Sequence, residues 1–162
     1  MKEVRREDII NAKKMKINIP VKTTREKFYN EMMILLRPLF EGYLGLKKGG
    51  KEKLYDSELK VISYLLYYYD EYKDIEKGDK RWKVIFDLEM RARMRSKCNM
   101  SVAVFDNCIY RLKQKGVIEV FKDEKGIKHS RLKSFFNIGP VEDDVEILFH
   151  FMIEKKKQKD EY

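Results

Sequence analysis

Cysteine, histidine, proline and alanine are all scarce in this chain. The two cysteines, Cys98 and Cys108, are too few for a disulfide framework or a zinc site. They suit an intracellular or virion setting with reduced thiols. The two histidines, His129 and His150, stand far apart, so neither a zincin pattern nor a Ser-His-Asp arrangement can be drawn from them. No stretch approaches the ~18 consecutive apolar residues of a transmembrane helix. Met1 to Lys16 lack the apolar core of a signal peptide, so export by that route is not expected.

What is abundant is charge. Of 162 residues, 39% are charged and 43% hydrophobic, which allows one cored domain with extensions, or at most two small modules. Lys and Arg total 36 against 27 Asp and Glu, giving a net charge of +9. A basic balance points to nucleic acid, an anionic surface or an acidic protein partner, without choosing among them.

Residues 1–22 read as a basic N-terminal arm, and Pro20 blocks a helix across its end. Residues 23–55 read as a helical segment and a Lys/Gly loop. Thr23-Thr24-Arg25-Glu26 has capping-box spacing, and Phe28, Met32, Leu35, Leu39 and Tyr43 recur at helical period. Pro38 predicts a kink or break after Arg37. A second helix is expected over 57–72, capped by Asp56 or Ser57, with Leu59, Ile62, Leu65, Leu66, Tyr69 and Tyr72 inward. Tyr67-Tyr68-Tyr69 reads as core edge rather than as a base-stacking platform. Trp82, Val84, Ile85 and Phe86 read as a short helix plugging the core.

Residues 87–118 are the most specific stretch. Asp87 caps a helix with Leu88 and Met94 inward, ending near Cys98-Asn99, where Asn tolerates the left-handed turn conformation. Ser101 caps the next helix, with Phe105, Cys108 or Ile109, and Leu112 at core spacing. Lys113-Gln114-Lys115 reads as an exposed last turn, Gly116 as a stop, and Val117 to Phe121 as a strand. Lys122 to Gly126 reads as a turn, and a second extended segment leads to Phe135-Phe136-Asn137-Ile138.

This order of helix, short turn, helix, Gly, strand, basic loop and strand, over residues 56–138, resembles a winged helix-turn-helix domain. Arg91-Ala92-Arg93-Met94, Cys98-Asn99-Met100-Ser101 and Arg111-Leu112-Lys113-Gln114-Lys115-Gly116-Val117-Ile118 carry the resemblance. Asn99 departs from the usual turn Gly. The Asp56-Ser57-Glu58-Leu59-Lys60-Val61 opening, the Tyr-rich helix, Arg81-Trp82-Lys83 and the closing Phe-x-Phe segment look like small proteins of crAss-like and related tailed bacteriophages. Abundant Lys, Tyr and Ile, with alanine only at Ala12, Ala92 and Ala103, suits an AT-rich phage genome.

The winged-helix resemblance implies that the 102–115 helix enters the major groove and the wing reaches phosphate. Its outward residues would be Ala103, Asp106, Asn107, Tyr110 and Lys113. Asn107 suits adenine, Ala103 a thymine methyl, and Tyr110 and Lys113 phosphate. Asp106 is repelled by phosphate unless it meets cytosine N4 or pairs with Arg. The wing adds Lys122, Lys125, Lys128, His129, Arg131 and Lys133. The preceding helix adds Arg91, Arg93, Arg95 and Lys97.

Residues 139–162 read as a C-terminal strand and charged tail, with Val145, Ile147, Phe149, Phe151 and Ile153 alternating. Glu142-Asp143-Asp144 reads as a solvated loop rather than a cation site, and His150 as packed. Gly45-Leu46-Lys47-Lys48-Gly49-Gly50-Lys51 begins like a P-loop, but Glu52 stands where Ser or Thr must hold magnesium, and a helix precedes it. The expectation is a non-enzymatic α+β protein, mainly helical, without cofactor or metal. It would bind duplex DNA as a homo-oligomer, in the host cytoplasm or the virion and not in a membrane. The alternative is a virion structural protein, a portal, neck or tail-connector ring or adaptor, with the same fold facing protein.

Overall fold

The computed structural model describes residues 23–46 and 53–138. Helices α1 (Arg25–Tyr43), α2 (Asp56–Glu71), α3 (Asp79–Ile85), α4 (Leu88–Cys98) and α5 (Val102–Gln114) precede strands β1 (Ile118–Lys122) and β2 (Lys128–Leu132) and a 3-10 turn at Ser134–Phe136. The chain is therefore α+β, mainly helical, with a small antiparallel sheet. The expected arm (1–22) and the C-terminal strand and tail, with Glu142-Asp143-Asp144 and His150, lie outside the described residues. Among the described residues no helix is long and apolar enough to cross a membrane.

Helix α2 is the axis of the core. Val61 to Leu66 are buried without a gap, so this helix needs neighbours all round, and it packs against α1, α3, α4 and α5. Of the expected inward row, Leu59, Ile62, Leu65, Leu66 and Tyr69 are buried, whereas Tyr72 stands at the C-cap and is only partly buried. Each such fully buried Leu or Ile contributes roughly 1.5–3 kcal/mol. Tyr69 stacks on Trp82 of α3 at 4.5 Å, and Tyr67 and Tyr68 pack partly buried at the core edge.

Arg81 is buried and donates to the carbonyls of Tyr69, Lys73 and Ile75. It thereby satisfies the end of α2 and the loop into α3 from within.

Several expectations for α1 are corrected. Of the kink or break expected after Arg37, the break does not occur: the helix runs through Pro38. Pro38 deprives the Ile34 carbonyl of its helical partner, but both residues face solvent, where water replaces the lost bond. The inward row is Tyr29, Met32, Met33 and Phe40, whereas Leu35, Leu39 and Tyr43 are exposed. Apolar residues occupy more than one face of α1, so period alone does not fix its rotation. A polar anchor does: Tyr29 donates to the buried Asp70 at 3.0 Å, and Arg25 pairs with the same carboxylate at 2.7 Å. The N-cap is Thr24, accepting from the Lys27 amide. Glu26, expected to close a capping box with Thr23, instead accepts from the Tyr64 hydroxyl at 2.6 Å. Burial, and then Glu26, push the Tyr64 phenol up to about 12.

Helix α2 starts one residue earlier than expected, with Tyr55 rather than Asp56 or Ser57 at its N-cap. In α4 the inward row is Met90, Met94 and Cys98, while Leu88, directly after the cap Asp87, is 84% exposed. Asn99 has φ 54°, and the Met100 amide reaches back to the Arg95 carbonyl. This left-handed closure turns the chain at once into α5, capped by Ser101. Gly116, at φ 79°, closes α5 the same way, with the Val117 amide on the Leu112 carbonyl.

Candidate functional site

Three anchors hold α5 and fix which face it shows to solvent. Phe105, Cys108, Ile109 and Leu112 are buried against the core, as the spacing predicts. Ser101 fixes one end. At the other, Lys115 reaches Glu58 on α2, with its Nζ 2.8 Å from both carboxylate oxygens and 2.7 Å from the Lys53 carbonyl. Lys115 was expected in an exposed last turn; it is drawn in because Glu58 is fully buried and needs a cation. The opposite face then presents Ala103, Asp106, Asn107, Tyr110 and Lys113, all exposed. They lie at helical spacing along one side.

Asp106 accepts from Arg91 of α4 at 3.0 Å, so the awkward carboxylate is half of an ion pair. Of the other α4 cations, Arg93 pairs with Glu89 at 2.7 Å and Lys97 lies 3.6 Å from Glu26. Arg95 makes no ion pair among the described residues.

The hairpin pairs Ile118 with Leu132 at its buried end and Lys122 with Lys128 at its tip. Asp123 builds the turn: one oxygen accepts from the Lys125 and Ile127 amides, the other meets His129 Nε2 at 2.7 Å. The His129 hydrogen bond, with the backbone donors, holds the Asp123 carboxyl below its ordinary range. Gly126 takes the positive φ, 77°, that the turn requires.

Arg131 is spent within the fold, bridging Asp79 at 3.0 Å and Glu119 at 3.2 Å, with its guanidinium over the Phe121 ring. Lys133 lies over Tyr43. Lys122, Lys125 and Lys128 are exposed and make no ion pair among the described residues. No family model, curated protein or solved structure matches this chain.

The structure therefore brings Lys113 and Arg91 together with Lys128 across the junction of α5 and β2, and ties Arg93 and Arg131 to carboxylates. It also adds Lys83 of α3, which lies at the same junction, 4.0 Å from Asp123. Lys83 is not among the residues expected from the sequence to contact nucleic acid. It sits between Trp82 and Val84 on a seven-residue helix, and no periodicity marks it.

Proposed function

We propose that this chain is a winged-helix protein that binds duplex DNA without catalysis. In that reading α5 is the recognition helix and the β1–β2 hairpin is the wing. One observation carries it: among the described residues, a face of α5 bearing Asn107, Tyr110 and Lys113 is exposed beside a hairpin tip whose three lysines make no ion pair. Phosphate neutralisation by Lys113, Lys122, Lys125 and Lys128 supplies affinity, and Asn107 offers limited base readout. The tailed-phage origin belongs to the same proposal and rests on sequence resemblance.

The test is a fluorescence-anisotropy titration of the full chain with generic duplex at two salt concentrations, alongside Asn107→Ala, Tyr110→Ala and Lys113→Gln. The expected result is a fall of ~0.9 log units in affinity per log unit of salt for each neutralised phosphate, with weaker binding in the variants. Absent binding at low salt, or indifferent variants, overturns the assignment of α5.

A protein-facing role, such as a virion ring or adaptor component, is the second reading. The apolar face of α1 favours it, where Ile34 is 65%, Leu35 53% and Leu39 56% exposed, more than isolated surface residues require.

A further inference from the structure

A cleft of about 210 Å³ opens between α5 and β2, lined by Lys83, Arg91, Lys113, Lys128, His129 and Ser130, with Phe86 and Ile109 also contributing. It is smaller than the ~300 Å³ at which pockets begin to suit drug-sized molecules. Four basic side chains from four elements line it: Lys83 from α3, Arg91 from α4, Lys113 from α5 and Lys128 from β2. Among the described residues, two carboxylates face the group. Asp106 holds Arg91, and Asp123 holds His129 and lies 4.0 Å from Lys83. Positive charge is left in excess. Burial lowers the Lys113 pKa, and Arg91 adds to the shift. Like charges lining one cleft repel one another and favour an anion in it. The hydroxyl of Ser130 adds a neutral donor.

We propose that this cleft seats one phosphodiester group of a nucleic-acid backbone, held jointly by Lys83, Arg91, Lys113 and Lys128. The inference rests on the DNA-binding reading and goes beyond it, because it makes α3, outside the helix pair and the wing, part of the contact. It also fixes the hairpin relative to α5 at the moment of binding, since the bound oxygens bridge the two. Neither α5 nor the hairpin alone supplies the site.

The test uses the full chain, the double variant Lys83→Gln/Lys128→Gln, a generic duplex and inorganic phosphate alone. Ring-proton NMR signals of His129, assigned with His129→Gln, report on the cleft. Duplex and inorganic phosphate are each expected to shift His129. The double variant should lose the phosphate-induced shift and lower the salt slope of duplex binding by about 0.9, with a thermal melt no lower than that of the parent chain, since Lys128→Gln also removes its repulsion with Lys122. Duplex binding with an unaltered slope in the double variant overturns the cleft and the Lys128 phosphate contact, and leaves α5 with Asn107, Tyr110 and Lys113 as the recognition helix. A phosphate shift without any duplex binding overturns the nucleic-acid source and the α5 reading together, leaving a site for a free anion. No response to either probe removes both.

Discussion

Lys115→Met tests how α5 is held. The Glu58 side chain is 0% exposed, and Lys115 Nζ gives both its oxygens a contact at 2.8 Å. The third ammonium proton goes to the Lys53 carbonyl at 2.7 Å, so all three donors of Lys115 are used. Methionine keeps an unbranched stem and removes the charge. Breaking a buried ion pair by deleting one partner costs about 3–5 kcal/mol, because the remaining charge is stranded. Arg111 Nε stays 3.6 Å from Glu58, and the Tyr55 amide donates to it at 3.4 Å, which hold the loss near the low end, roughly 3 kcal/mol. At about 2–4 °C per kcal/mol for a chain of this size, the Tm should fall by roughly 6–12 °C. Thermal and urea melts of the full chain, followed by circular dichroism, measure it. Adding Glu58→Gln to Lys115→Met should recover half of the loss or more, since the stranded carboxylate and not the missing stem carries the cost. A loss below about 1 kcal/mol, the range of a surface pair, or a double variant no more stable than Lys115→Met, refutes the reasoning.

Three further outcomes are expected. Gly116→Ala should cost about 1 kcal/mol in a urea melt, because φ is 79° and nothing lies within 4 Å of the added Cβ, so the penalty is conformational alone; Asn99→Gly, at the other left-handed turn, should be neutral or slightly stabilising. Asp106→Asn should raise duplex affinity a few-fold in the anisotropy titration by removing an exposed carboxylate and releasing Arg91; a fall would mean that Asp106 serves by positioning Arg91. Cys98 is buried, and burial pushes its thiol up to about 12, with Cys108 adding to the rise and Lys60 opposing it. At pH 8 only about one thiol in 10⁴ is ionised. A disulfide-exchange reagent should therefore leave Cys98 untouched in the native chain and label it in denaturant, and fast native labelling at pH 8 would contradict its burial.

The helix order, the two left-handed turns and the inward row of α5 were legible because local chemistry decides them. Asn99 and Gly116 stand where few other residues tolerate positive φ, and Asp87 and Ser101 are side-chain caps that act on their own amides. The rotation of α1 was not legible. Leu35 and Leu39 keep helical spacing as well as Met32 and Phe40 do, and the choice falls to Asp70, forty-one residues beyond Tyr29. Leu88 misled for a related reason: the first residue after a cap can point outward whatever its hydrophobicity, because the core lies under the later turns.

The charged residues show the same limit more sharply. A sequence gives the position of each cation but not whether a carboxylate from another element cancels it. Arg131 looked like wing charge and is consumed by Asp79, fifty-two residues away, while Lys83, given no site role by the sequence, lines the basic cleft. What remains after pairing is informative because the fold was free to do otherwise. Within one two-stranded ladder, Glu119 stands opposite Arg131 near the core end and Lys122 opposite Lys128 at the tip. Opposite charges across a ladder stabilise it and like charges destabilise it, by some tenths of a kcal/mol up to about 1 kcal/mol. The first pair serves the hairpin. The second works against it, and a glutamate at either position would relieve the repulsion. An anion held between the tip and α5 would relieve it as well, which is why the tip lysines, without an ion pair among the described residues, count for more in the functional reading than the net charge of the whole chain.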